Sequence, residues 1–458
     1  MASTKLSRTL GSGSATNKFT YSTWLKYSGW VAGGQRWFST VGTGDTYFRF
    51  NEDGTMEVSG HNSSASSGGY FITNRVFDDH ASWYHIVIRF DSTESSASNR
   101  LRLYINGVQE ESFSTYTDVN QNATDNINLS GNTQIIGGTS SSQYFNGLMA
   151  QTILSIGYSY APTTFGEVST TSGEWKPKPD PSLSYGTNGF NLSYETSSAL
   201  GDDTSGNTND FTLSGSGTPT LDSPSNTFAT WNPLNYVQAN NSPVLTNGNT
   251  KMTGSADAPF PNAISTLGIP KSGKYYAEFK MQNNTAFAVG ICDMDKGIEA
   301  LRTANTTIYN TTFNGAVSLK NDGSVIRNGA ETNSVTPTIA TGDIAMIAYD
   351  ADNGAFYAGR NGTWGTVGGV VGVPTSGSSK TGAIDISAQS WFTTSSHQGF
   401  LVGSPTSGGY AVIEANFGNG YFGTTAVTSA GTAPSTPGTF EYAVPTSYQP
   451  LSTKGLNV

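Results

Sequence analysis

Leu101-Arg102-Leu103-Tyr104-Ile105-Asn106-Gly107-Val108-Gln109 is the stretch that decides the fold. Leu101, Leu103 and Ile105 recur at every second position, the period of a half-buried strand. Asn-Gly follows at once, and a two-residue Asn-Gly link is the strongest short-range hairpin signal, because both residues accept the positive φ of a type I′ turn. The pattern repeats outward. Phe19-Thr20-Tyr21-Ser22-Thr23-Trp24-Leu25 alternates large apolar with small polar residues, and residues 47–50, 83–90, 134–136 and 148–156 do the same between Gly, Asn and Asp. In the second half, Asp352-Asn353-Gly354 and Arg360-Asn361-Gly362 are tight-turn signals on either side of one short strand, which makes a meander. Further strands are expected over 275–281, 286–291, 344–349, 355–358, 400–402 and 411–417. No segment keeps a 3.6-residue apolar period beyond a turn or two. The best short helix is 161–168, with Pro162 in its first turn.

Composition agrees. The 458 residues are 35% apolar and only 12% charged, with 54 Gly, 22 Tyr, 23 Phe and 8 Trp. Gly costs about 1 kcal/mol against Ala in a helix, whereas aromatic and Thr residues suit a pleated, half-buried surface. Such aromatic content also excludes a disordered chain. The length exceeds one ordinary sandwich, so more than one domain is expected. Net charge is −10 and no basic cluster occurs, which argues against nucleic acid and against an anionic membrane surface. Cys292 is the only cysteine, so neither disulfides nor a thiolate cage stabilise the fold. Residues 1–10 lack an apolar signal core and no run approaches a membrane span. The expectation is cytoplasmic synthesis, no membrane insertion, and any outside location reached by assembly into a particle.

Composition loosens between 169 and 222. Trp175-Lys176-Pro177-Lys178-Pro179-Asp180-Pro181 must be extended, since each Pro fixes φ and restricts its predecessor. Residues 189–194 and 210–213 read as strands that close the first domain, and Ser223-Pro224-Ser225-Asn226 reads as a boundary. The reading is all-β: two antiparallel β-sandwich domains of jelly-roll type in tandem, 1–222 and 223–446, followed by a tail at 447–458.

Two family resemblances attach to these motifs. Residues 19–26, Trp83-Tyr84-His85-Ile86-Val87-Ile88, Leu103-Tyr104-Ile105-Asn106-Gly107 and Tyr144-Phe145-Asn146-Gly147-Leu148-Met149-Ala150 resemble a laminin G-like, concanavalin A-like sandwich. Gly273-Lys274-Tyr275-Tyr276-Ala277-Glu278-Phe279, Val289-Gly290-Ile291, the run 342–364 and Ala415-Asn416-Phe417-Gly418 resemble a SPRY domain. The order of segments is similar to that of virion-associated proteins of tailed, particularly marine, bacteriophages. It is carried by Ser3-Thr4-Lys5-Leu6-Ser7-Arg8-Thr9, Ala161-Pro162-Thr163-Thr164-Phe165-Gly166-Glu167, residues 203–210 and 222–230, and Val444-Pro445-Thr446-Ser447-Tyr448. That resemblance implies a fibre, appendage or head decoration on the virion exterior, with other virion proteins as partners and a homo-oligomer, such as a trimer, as the assembly. Where such proteins often carry an Asp after the 149–153 strand, this chain reads Leu154-Ser155-Ile156-Gly157.

Candidate sites follow from chemistry. Glucanases on concanavalin A-like folds need two carboxylates across a cleft, ~5–9.5 Å apart, often on alternate residues of one strand. No such run occurs: Glu110-Glu111 are consecutive, and Asp293 and Asp295 lie in a turn-like segment. The four histidines, His61, His80, His85 and His397, lie in no nucleophile or metal motif. His85, on a strand with Val87 as a same-face neighbour, reads as a packed or surface residue. No enzyme is expected, with glycan hydrolysis kept as an alternative. The resemblance to lectin domains allows Ca2+ but no other cofactor, at loop oxygens such as Asp202, Asp203 and Asp210, or Asp350, Asp352 and Asn353. The competing reading of both sets is Asx-turns. Host surface glycans are the sharper expectation, because a sugar ring's apolar face stacks on exposed aromatics. Trp30 and Trp37 flank a Gly-rich loop, and Trp391, Phe392 and His397 lie around Thr393-Thr394-Ser395-Ser396. Trp24, Trp83 and Trp364 fall on strand or turn motifs and read as core, and ordinary packing competes at every loop aromatic. An architectural decoration protein without glycan binding remains the other alternative.

Overall fold

The computed structural model describes residues 3–59, 69–170, 172–179, 181–234, 243–254, 262–283, 286–295, 315–327, 330–404, 411–428, 431–432 and 436–456. They are almost all β and form two units, Met1–Pro219 and Thr220–Val458. The expected helix at 161–168 is instead a single 3-10 turn at Pro162–Thr164 followed by the strand Gly166–Val168. Pro162 opens that turn, but Phe165 is drawn onto the sheet below and a second helical turn does not form.

The first unit is a sandwich of two antiparallel sheets. One has the order Phe113–Thr117, Tyr70–Val76, Thr55–Ser59, Tyr47–Phe50, Gln35–Val41, Thr133–Ile136, Lys5–Thr9, Thr212–Ser214. The other has the order Phe190–Leu192, Gly147–Ile156, Lys18–Tyr27, Tyr84–Asp91, Leu101–Ile105, Val108–Glu110. Phe19, Tyr21, Leu25 and Tyr27 point between the sheets with Ile86, Ile88, Phe90, Leu101 and Leu103. The hairpin forms as its sequence requires: Asn106 and Gly107 have φ of 48° and 81°. Asn106 also accepts the His85 backbone N–H on its side-chain oxygen at 2.8 Å.

The outer face of the second sheet is not open to solvent. Residues 157–170, 172–179 and 181–186 fold back across it, and Val87, Tyr104, Ile153 and Phe165 make a second apolar layer there with Tyr160, Leu183 and Tyr185. His85 sits at its centre, fully buried. Its ring stacks on Trp24 at 4.5 Å, in cross-strand register. Trp175 Nε1 donates to His85 Nδ1 at 2.9 Å, and Ser22 Oγ lies 2.9 Å from Nε2. An indole N–H can only donate, so Nδ1 is unprotonated and the proton is on Nε2, given to Ser22. Gly107 has a second role, because a Cβ there would come within 2.7 Å of the Trp175 ring.

The second unit repeats the plan. One sheet runs Val244–Thr246, Lys251–Thr253, Val412–Asn416, Lys274–Met281, Ile344–Asp350, Ala355–Arg360, Thr363–Trp364. The facing sheet runs Asn262–Ile264, Gln398–Gly403, Ala288–Asp293, Ala316–Lys320, Val325–Arg327, Ala330–Thr332. Trp231, Phe279, Phe400 and Phe417 are in ring contact between them. The turn at Asn361-Gly362 has φ of 48° and 81°, the same as the first hairpin. The last residues are no free tail. Gln449–Pro450 lies parallel to Lys274–Met281, Leu451 is fully buried in the core, and Tyr448 and Phe440 cover the outer face over Tyr276 and Tyr357. Within that layer the Glu278 carboxylate accepts the backbone N–H groups of Glu441 and Tyr442, each at 2.8 Å, and the Tyr276 hydroxyl at 2.9 Å. Burial pushes Glu278 up to about 7 against the pull of those donors.

His85 supplies a pH test. Burial lowers it from 6.5 to about 3, so the folded state resists a proton that the unfolded chain takes up. Its stabilising contribution is complete above pH 6.5 and is lost as pH falls towards 3. Urea unfolding at pH 8 and pH 5.5 should show the wild type losing about 1.4 kcal/mol more than His85→Gln over that interval. Equal losses in the two proteins would refute the neutral, buried imidazole.

Candidate functional site

A sugar or substrate can reach only what the covering segments leave open. The middle of the outer face in the first unit carries Thr20, Ser22, Trp24, Lys26, His85 and Tyr104, all buried and none a carboxylate. Glu110 is bound to Arg75 at 2.6 Å, and Glu111 is exposed beyond the strand end. Asp293 is buried at the end of its strand and Asp295 is exposed in the following turn, where it accepts from Ser396 Oγ at 2.7 Å. No two of these face each other across a cleft.

Trp30 is different. It leaves 39% of its surface open at the rim of the first unit. Its ring lies where a Cβ on residue 54 would have to be, 1.3 Å from Cη2, so only glycine fits beneath it. Gly54 is buried at φ 78°, in the turn Asn51-Glu52-Asp53-Gly54. The ring meets Tyr27 edge-on at 5.6 Å and His80 edge-on at 6.0 Å. Hydrogen bonds tie the surrounding loops together. Gly33 N–H donates to Glu52 at 3.0 Å, Gln143 Nε2 to the Gly33 carbonyl at 2.6 Å, and Phe77 N–H to the Gly54 carbonyl at 2.9 Å. Buried His80 has Nδ1 3.2 Å from the Tyr27 carbonyl. Burial lowers its pKa, so it is a neutral ring that donates from Nδ1. The result is an aromatic platform fixed from below and from one side. Sequence reasoning found Trp30 and missed Gly54 and His80; the Asn-Glu-Asp-Gly turn was the signal for the first, and nothing local marked the second.

The other expected residues separate. Trp37 is fully buried against Phe50 at 4.7 Å, because its strand turns it between the sheets, so it is corrected from binding aromatic to core. Trp391 is corrected likewise: the short helix Ser390–Thr394 turns it into the second unit's core, where it is 5% exposed. Phe392 is half-buried against the same core, and His397 is exposed. These three form no common platform. Of the residues expected in the core, Trp24 and Trp83 are buried and Trp364 is half-buried. His61 lies outside the described residues.

The aspartates expected to offer oxygens to Ca2+ are spent on the loop itself. Asp203 Oδ1 accepts from the N–H of Asn191 and of Ser205 at 2.8 and 2.9 Å, and Oδ2 from Ser205 Oγ and Asn209 N–H at 2.8 and 2.9 Å. Those four donors match the carboxylate's acceptor capacity. Asp210 accepts the Asp203 N–H at 2.9 Å, while Asp202 is exposed. Arg8 binds the Asn188 and Asn209 carbonyls beneath, its pKa lowered to about 10 by burial. Asp350 is equally engaged, with Lys274 Nζ at 2.7 Å and Asn353 N–H at 3.1 Å. Asp352 accepts the Gly273 N–H at 2.9 Å. Among the described residues no cluster of three His, Cys, Asp or Glu is placed to hold a metal.

Residues 4–154 match the concanavalin A-like lectin/glucanases superfamily. The lectin-like stretch includes the Trp30 loop and the Asn106-Gly107 hairpin but ends before the segment that covers the outer face. Among solved structures, the SPRY domain of human HERC1 is 12% identical with TM-score 0.29, over 40% of this chain and 96% of that one. A candidate carbohydrate binding protein from Bacteroides ovatus ATCC 8483 is 16% identical with TM-score 0.33, over 46% of this chain and 58% of that one. The SAP-like pentraxin from Limulus polyphemus is 17% identical with TM-score 0.23, over 33% of this chain and 69% of that one. No curated protein matches the chain.

The aspartate loop generates a direct test. Asp203→Ala should cost about 1–3 kcal/mol, since four half-buried donors lose a charged acceptor. Millimolar Ca2+ should leave the wild-type melting temperature unchanged. A rise of several degrees that Asp203→Ala abolishes would restore the metal reading.

Proposed function

We propose that the chain is a non-enzymatic glycan-binding protein displayed on a particle surface, and that the first unit holds the sugar on Trp30. The observation that carries this reading is the pairing of an open indole with a glycine that seats it. A pre-positioned aromatic face loses little entropy when a sugar ring stacks on it. The lectin/glucanase superfamily match over the same residues supports the sugar as ligand class. The closed, carboxylate-free outer face favours binding over hydrolysis. Display on the exterior of a tailed phage, with other virion proteins and further copies of this chain as partners, rests on the sequence resemblance of residues 3–9, 161–167, 203–210, 222–230 and 444–448. It is tested by proteomics and cryo-EM of the parent particle.

Binding is tested on a glycan array followed by titration of the best ligand. Trp30→Ala should weaken binding by about tenfold or more, equivalent to ~1.4 kcal/mol. Trp391→Phe, altered inside the second unit's core, should leave affinity within about twofold. Wild-type affinity in Trp30→Ala would overturn the assignment of the site.

A further inference from the structure

The loops that seat Trp30 also bear on which sugar it takes. Four loops meet there: 28–34, 51–54, 77–82 and 139–146. Their charged side chains are Glu52, Asp53, Asp78 and Asp79, all exposed, and none of the four loops contains a lysine or arginine. The cations nearest in sequence are committed elsewhere: Lys26 is buried, Arg36 lies over the Tyr47 ring at 3.9 Å, Arg49 binds Glu57 at 2.9 Å and Arg75 binds Glu110 at 2.6 Å. Lys5 reaches the 139–146 loop at the Thr139 and Ser140 carbonyls. Asp53 is held ionised by the N–H and hydroxyl of Thr55, which lower its pKa.

An indole face attracts a cation through its quadrupole, and four carboxylates of one sign add a local negative field. His80 adds no positive charge: its Nδ1 is turned to the Tyr27 carbonyl and burial keeps the ring neutral beside Trp30. The platform therefore offers carboxylate acceptors and negative charge, with no charged donor in its loops to neutralise them. Anionic sugars such as sialic or uronic acids meet repulsion there.

The geometry points to a glycan with free, protonated amino groups, a hexosamine lacking its N-acetyl group, as the ligand of the Trp30 platform; this rests on the glycan-binding reading above. The ammonium is placed against the ring and the Glu52, Asp53, Asp78 and Asp79 rim, and the pyranose face on the remaining indole surface.

The test compares a β-1,4-linked glucosamine tetramer with the same tetramer fully N-acetylated, using the whole chain. The free-amine tetramer should bind about fivefold tighter, and raising salt from about 20 to 300 mM should remove most of that advantage. The double variant Asp78→Asn/Asp79→Asn, which spares the Gly33–Glu52 bond that ties the platform's loops, should lose much of that preference while keeping its affinity for the acetylated tetramer. Equal or tighter binding of the acetylated form, with Trp30→Ala still defective, would overturn the amine inference and leave the platform standing. Absence of any Trp30-dependent binding to either tetramer would overturn both. Tetralysine binding Trp30 more tightly than the sugar would replace the glycan with a cationic peptide.

Discussion

The hydrogen bond from Trp175 to His85 is the point on which the first unit's accessible chemistry depends. A sheet in a sandwich has one face in the core and one that must be solvated or covered. Here the outer face carries Trp24, Val87, Tyr104 and Ile153, too apolar to leave to water, with His85 and Ser22 among them. Residues 157–170, 172–179 and 181–186 cover it, and the indole N–H of Trp175 completes an arrangement in which the buried imidazole has both nitrogens paired without carrying charge. The cover closes that face, and the proposed sugar platform at Trp30 lies at the rim, outside it.

The second unit reaches the same end by opposite electrostatics. Its cover, residues 436–451, is gripped by a carboxylate accepting backbone N–H groups, where the first is gripped by a neutral ring accepting an indole N–H. Burial shifts the two groups in opposite directions, His85 down to about 3 and Glu278 up to about 7. Acidification below neutrality therefore weakens the first cover and relieves the buried charge in the second. The two contributions oppose each other between about pH 6.5 and 4.5, where the interval from the ordinary to the displaced His value overlaps that of Glu.

The strands with strong alternation and an adjoining Asn-Gly or Asp-Asn-Gly turn were legible in the sequence, because side-chain period and positive φ are local properties. Residues 101–109 and 344–364 are the clearest cases, and their turns have the dihedrals their sequences demand. The strands Lys5–Thr9, Gln35–Val41 and Phe113–Thr117 were not legible: they are rich in Ser, Thr, Gln and Arg, and become strands only because neighbours supply a ladder. Direction of burial was the harder problem. Trp30 and Trp37 bound the same Gly-rich loop, yet one seats on Gly54 at the rim and the other enters the core. Whether an aromatic beside a loop faces in or out depends on a partner more than ten residues away, which no local pattern records. Asp203 is a mixed case: Ser205 and Asn209 lie within six residues, as an Asx-turn reading allows, and only the Asn191 N–H comes from farther away.

The size of the platform limits what one copy can achieve. A tryptophan presents ~250 Å², and 39% of it remains open, which leaves ~100 Å² for a sugar. At ~25 cal/mol per Å² the apolar gain is ~2.5 kcal/mol before the loss of translational and rotational freedom. Rim charges on an ammonium add about 1 kcal/mol at such exposure. The gross gain of ~3.5 kcal/mol falls short of the ~4 kcal/mol of a millimolar complex, so a single site of this kind is weaker than millimolar. On the proposed reading, useful adhesion would come from number: copies held together on one particle would convert each further contact into an intramolecular event and raise avidity by ~10²–10⁴. A shallow, pre-formed and individually weak site suits a protein displayed in many copies better than one that acts alone.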